Sequence, residues 1–302
     1  MAIVGDTVSF KHLHCIPLDE SAYSLAPDEL EFYQSTTNID NEVELKRHIL
    51  DIQAKAYKIF PYPCIRGFMF TKLKVLRYPA YAHVLEYGRT HPDAIFLEMA
   101  CCFGNDARKA ALDGYPVKNI VATDLRRDFW DLGFKLFKDD PVTFPVPFLQ
   151  GDIFDTKFLD PDATKSSNQP DFSGLNSLTD LLGHTAIIHA SAFFHLFSEE
   201  DQRKIAERCV ALLDHVPGAT IFGSHVGGPE PGIYDNSGGA NRKMFCHSPQ
   251  SWEKLWKELF GETPINVVAT LEDKDKEANS PIMCHGPLAG DRRSMVWNIT
   301  VI

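Results

Sequence analysis

The chain has 302 residues, with 30 Lys and Arg against 41 Asp and Glu, a formal net charge of −11. That balance, with no basic run longer than two, excludes the clustered positive charge a phosphate-contacting surface needs, so no nucleic-acid partner is expected. A composition of 44% hydrophobic and 24% charged residues is that of an ordinary globular protein, at a length near the limit for one core.

In chain order, Asp6 and Lys11 fall where a secretory signal would keep an apolar run, so export is not expected. Residues 1–92 read mainly as helix and loop. Asp40 to Phe60 spaces Leu45, Ile49, Ile52, Ala56 and Ile59 near helical period and stops at Pro61 and Pro63. Tyr62 to Phe68 reads as a loop and Pro79 to Gly88 as a short helix. From residue 93 the pattern changes to short apolar runs alternating with amphipathic segments, which predicts βαβ units and a parallel sheet over 93–302. The strand candidates are Ala94–Glu98, Asn119–Thr123, Val146–Gln150, Ala186–His189 and Ala219–Gly223. Phe129, Leu132, Leu136 and Phe137 form a helical stripe, and Ser198 and Ser248-Pro249 are helix starts. Asp160 to Gly174 and the Gly/Pro-rich stretch 228–243 read as loops, the second able to gate access to a site. Ile265–Leu271 and Met295–Ile302 flank a polar segment, Glu272 to Arg293, and fit an antiparallel hairpin at the sheet edge. The most apolar stretch, Thr185 to Phe197, is broken by His189 and His195 and falls short of the ~20 residues of a membrane span. Seven cysteines with no CxxC predict reduced thiols, and a cytoplasmic location is expected.

Three acids stand at successive predicted strand ends. Glu98 precedes the small-residue loop Met99-Ala100-Cys101-Cys102-Phe103-Gly104, where a ligand can lie against the backbone at the carboxyl edge of a sheet. Asp124 ends the second strand, placed to accept from both hydroxyls of a ribose, and Asp152 follows Gly151 after the third, placed to accept from an adenine amino group while Ile153 packs on the ring. His184, His189 and His195 do not have the spacing of a metal set, and no metal is expected.

On these residues the sequence resembles the class I S-adenosylmethionine-dependent methyltransferases. Glu98-x-Ala100-x-Cys102-x-Gly104 is similar to their first motif, Asp124 to their ribose-binding acid and Gly151-Asp152-Ile153 to their adenine motif. Ala100 and Cys102 stand where glycines are usual, and Cys102 is expected to narrow the pocket. The resemblance implies a Rossmann-like α/β fold, a seven-stranded, mostly parallel sheet with a terminal antiparallel hairpin, preceded by a helical N-terminal extension and lid over 1–92. It implies S-adenosyl-L-methionine as cofactor, with Leu125 and His189 joining the motif residues as cofactor contacts. More closely, Tyr62-Pro63-Cys64-Ile65-Arg66-Gly67-Phe68, Cys101-Cys102-Phe103-Gly104, Phe129-Trp130-Asp131-Leu132-Gly133, the segment His189 to Phe197 and Met244 to Pro249 resemble fungal methyltransferases of terpenoid and meroterpenoid pathways. That likeness implies methyl transfer to a carboxyl or hydroxyl oxygen of a small lipophilic molecule. Arg66 could then fork onto the methionine carboxylate. Phe193, Phe194, Met244 and Phe245 would line the acceptor site. His195 is the candidate general base, with His225 and His247 as rivals at the acceptor. Two alternatives stay open: an NAD-type oxidoreductase, against which the lack of a full GxGxxG and the acid Glu98 argue, and a methyltransferase-like scaffold with a decayed cofactor site.

Overall fold

The computed structural model describes residues 16–236, 242–273 and 291–302. The expectations on Asp6, Lys11 and most of the Glu272 to Arg293 segment lie outside them. The N-terminal region is helical. Helix α1 (Pro27–Thr37) and helix α2 (Glu42–Ile59) pack Phe32, Tyr33, Leu45, Ile49, Ile52 and Ala56 into one apolar cluster. Asn41 starts α2 by accepting from the N–H groups of Val43 and Glu44, which have no partner within the helix.

Tyr62 to Phe68, expected as a loop, contains a short helix, α3 (Pro63–Arg66). Pro63 occupies its first position, where a missing N–H costs nothing, and the Tyr62 carbonyl accepts from Ile65 and Arg66. Helix α4 (Tyr81–Thr90) leads into the sheet.

The central sheet contains β1 (Ile95–Met99), β2 (Ile120–Asp124), β3 (Phe148–Gln150), β4 (Thr185–Ser191) and β5 (Thr220–Gly227). Between them lie α5 (Asn105–Leu112), α6 (Arg127–Phe137) and, after β4, α7 (Glu199–Leu212). A separate hairpin, β6 (Gly232–Asn236) with β7 (Arg242–Cys246), precedes α8 (Pro249–Phe260), and β8 (Ile265–Leu271) and β9 (Arg293–Val301) complete the sheet. The order is β3-β2-β1-β4-β5-β9-β8, parallel from β3 to β5, with β9 antiparallel to both neighbours.

Two boundaries differ from expectation for stated reasons. Strand β3 begins after Pro147, which has no N–H to give the ladder, although its carbonyl still accepts from Ala122. Strand β5 runs on to Gly227 because β9 pairs with it over its whole length. The 228–243 stretch, expected as a loop, contributes strands: five residue pairs, Gly232 with Cys246 through Asn236 with Arg242, join β6 to β7.

Alternation along the strands divides the core. Leu97, Met99, Val121, Ile188 and Ile221 face α7 and α8, while Phe96, Ile120, Ala122, Ile187 and Phe222 face α4 and α5. The third cluster joins α1 and α2 to the Phe129, Leu132, Leu136 and Phe137 stripe of α6, which fixes the N-terminal helices beside the carboxyl ends of β1 and β2. Among the described residues no helix is long and apolar enough to cross a membrane.

Candidate active site

One cavity opens at the carboxyl edge of β1, β2, β3 and β4. Glu98, Asp124 and Asp152 all line it, as do Ala100, Cys102, Leu125, Gly151, Ile153 and Phe193. The strand ends deliver the acids: Glu98 is the fourth residue of β1, Asp124 the last of β2, and Asp152 follows β3 by two.

The loop after β1 is shaped by its backbone. Ala100 and Cys102 hold φ of 52° and 50°, in the left-handed region where glycine is the unstrained residue. Gly104 follows at φ 71° as the residue capping α5. A Cβ there would collide with Trp130, so Gly104 serves close packing and does not line the cavity. Asp124 ties the loop down: Oδ2 accepts from Cys102 N–H at 2.9 Å and Oδ1 from Arg126 N–H at 2.9 Å. Burial raises the Asp124 pKa, opposed by these backbone donors. Arg108, absent from the sequence reading, holds the loop from behind. Its guanidinium is bidentate to Asp139 at 2.7 and 3.0 Å and donates to the Phe103 carbonyl at 2.8 Å.

A buried charge cluster occupies the β1/β4 side. Glu98 and His189 are register partners, and His189 Nδ1 lies 2.8 Å from Glu98 Oε2. His189 therefore stands behind Glu98, fully buried, and not on the cavity wall, which corrects its expected direct contact. Burial raises the Glu98 pKa against the attraction of His189. For His189, burial opposes the charged ring, but Glu98 and Asp106 outweigh it and the pKa is raised. Asp106, also raised by burial, accepts from Val75 N–H at 3.1 Å, and the Asn105 amide donates to the Lys72 carbonyl at 2.8 Å. The first turn of α5 thus clamps residues 72–75 and presents Lys74 on the cavity wall, near enough to act on Glu98, Asp106 and His189. Among the described residues Glu98, Asp106 and His189 are the set whose ligand-type atoms lie within 4.8 Å of one another. His184 and His195 belong to no such set: His184 bonds the Ser166 carbonyl, and His195 meets Val226 N–H.

The N-terminal region supplies one wall through Tyr62, Pro63, Cys64, Met69 and Phe70. Arg66 is not on it. Its Nε donates to the Pro17 carbonyl at 3.1 Å. Phe193, Leu196 and Phe197 add apolar surface to the same cavity.

Several residues expected at the acceptor lie elsewhere. Phe194 is fully buried edge-on against Trp252 and Trp297. His225 is buried in the same cluster, accepting from Trp297 Nε1 at 2.8 Å. His247 is buried against Trp252 with its Nδ1 2.9 Å from Ser251 Oγ. Met244 is buried in a small cluster with Val226 and Cys246, and Phe245 packs on His247. Neither these five residues nor His195 is among the described residues that line the cavity.

Five parallel strands extended by an antiparallel β9 and β8, with small-residue and acidic loops at the carboxyl edge, form the Rossmann-like fold of methyltransferases. Residues 19–71 match the meroterpenoid methyltransferase N-terminal domain. The chain is 30% identical over 230 residues to the O-methyltransferase phiE of Fungal sp. (strain ATCC 74256), spanning 75% of this chain and 70% of that protein. It is 31% identical to the methyltransferase adrK of Penicillium roqueforti, spanning 76% and 75%. The chain belongs to this family of fungal methyltransferases and is a methyltransferase. Among solved structures, the Burkholderia thailandensis 1,6-didemethyltoxoflavin-N1-methyltransferase with bound S-adenosylhomocysteine is similar at 12% identity and TM-score 0.45, over 73% of this chain and 77% of that one.

Proposed function

We propose that the protein transfers a methyl group from S-adenosyl-L-methionine to a carboxylate oxygen of a small, lipophilic secondary metabolite of terpenoid or meroterpenoid type. The observation that carries this is the meeting of Glu98, Asp124 and Asp152 in the lining of one cavity that apolar residues also line. The donor set fits that cofactor part by part. Asp124 would accept from the ribose hydroxyls, with Asp152, Leu125 and Ile153 around the adenine. Glu98, which lines the cavity with Asp106, would accept a hydrogen bond from the methionine ammonium while His189 holds its other side. Lys74, which unlike Arg66 lines the cavity, would pair with the methionine carboxylate, with the Asn105 side chain beside it. A dinucleotide would instead bring pyrophosphate against Glu98 and Asp106.

When bound, the cofactor supplies a methyl on a positively charged sulfur. The acceptor oxygen would form the new bond to that methyl carbon as the carbon–sulfur bond breaks, with its electron pair left on sulfur. The protein's part is to hold the two reacting atoms close and exclude water. A carboxylate attacks without losing a proton first. His195, His225 and His247 are buried and are not among the described residues that line the cavity, and a carboxylate acceptor calls on none of them. The test is mass spectrometry of products after incubation with S-adenosylmethionine and matched pairs of terpenoid acids and alcohols. Methyl esters from the acids alone are expected. Ethers from the alcohols, or no methylation with cofactor bound, would contradict the carboxylate reading.

A further inference from the structure

Ser191 is the last residue of β4, two beyond His189 and on the same face, roughly 7 Å nearer the rim. It lines the cavity beside Phe193, Leu196 and Phe197. Its hydroxyl belongs to a buried trio: Tyr78 Oη lies 2.7 Å from Ser191 Oγ and 2.8 Å from Ser224 Oγ, while the two serine oxygens are 3.3 Å apart. Ser224 is fully buried on β5 and Tyr78 is 3% exposed, and of the three residues Ser191 is the one that lines the cavity. Ala192 N–H donates to the Ser224 carbonyl at 2.7 Å and turns the chain at φ 54°, which fixes the end of β4. In each of these contacts either oxygen can donate; the arrangement in which Ser224 donates to Tyr78 and Tyr78 to Ser191 leaves the Ser191 proton for a ligand in the cavity.

We propose that Ser191 binds an acceptor carboxylate oxygen by donating this hydrogen bond, and that Tyr78 is the positioning residue that aims it. The site joins a hydroxyl to a wall of aromatic and aliphatic carbon, which fits an oxygen of a lipophilic acceptor. This rests on the methyltransfer reading above, and the test separates the two.

Farnesoate is titrated calorimetrically into the full chain saturated with S-adenosylhomocysteine. Wild type should bind it; Ser191→Ala should weaken it about ten-fold or more, as for loss of a hydrogen bond to a charged group, with S-adenosylhomocysteine affinity unchanged. Ser191→Thr should restore binding, and Tyr78→Phe should weaken it less than Ser191→Ala. Equal farnesoate affinity in wild type and Ser191→Ala overturns the proposal, as does absence of farnesoate binding to the wild-type complex. Failure to bind S-adenosylhomocysteine itself would instead sink the cofactor reading, and this inference with it.

Discussion

Ala100 and Cys102 show what a glycine-rich motif is for when the glycines are missing. Both have positive φ, so the loop geometry is kept and each Cβ meets the strain that a left-handed L-residue carries, on the order of 1 kcal/mol. Ala100→Gly should therefore stabilise the protein by up to about 1 kcal/mol in thermal or urea unfolding, and Ala100→Val should destabilise it by more. A lower stability for Ala100→Gly would show that the loop is not held as described. At this scale the acids were legible, because a carboxylate closing a buried apolar run has few uses other than binding. Lys74 and Arg108 were not, since the first enters from a segment clamped by Asn105 and Asp106 and the second acts through Asp139, 31 residues away. The misplaced histidines share one cause: period and spacing say which residue is near a strand end, but not whether its ring turns to the cavity or, as with His225, to Trp297.

The aromatic cluster joining β5, α8 and β9 holds two imidazoles without charge. Burial pushes His247 down to about 4, and burial together with His247 lowers His225 well below the ordinary histidine value of 6.5. Both values are depressed, so the unfolded chain binds these protons first: their contribution is full above about pH 6.5 and is lost as pH falls toward 4. For His247 that loss is on the order of 3 kcal/mol. His189 slopes the other way, since its raised value favours the folded state below 6.5 and fades at higher pH. Thermal unfolding from pH 7 to 4 should show falling stability that is shallower in His247→Asn; an unchanged slope would refute the assignment. Elements with strong periodicity were readable, as α2, α6 and β8 show. The β6–β7 hairpin was not, because Gly and Pro suggest loop wherever the cross-strand partner is invisible. Helix α3 was hidden because a proline that can open a helix was read as one that ends it.

For the whole molecule, the order β3-β2-β1-β4-β5-β9-β8 brings the ends of β1, β2, β3 and β4 to one edge, and the third apolar cluster seats the N-terminal helices beside it. Alternating apolar runs were enough to expect such a sheet. That residues 62–70 close one side of its cavity depends on long-range packing against α6, which no local pattern records. The central claim is that this edge holds one adenosyl group among Glu98, Asp124 and Asp152. Calorimetric titration of wild type and Asp124→Ala with S-adenosylhomocysteine and with NAD tests it directly. Wild type should bind the first ligand only, and the substitution should weaken it at least ten-fold through the lost ribose hydrogen bonds and the released Cys102 loop. Equal affinity in the two proteins, or preference for NAD, would contradict it.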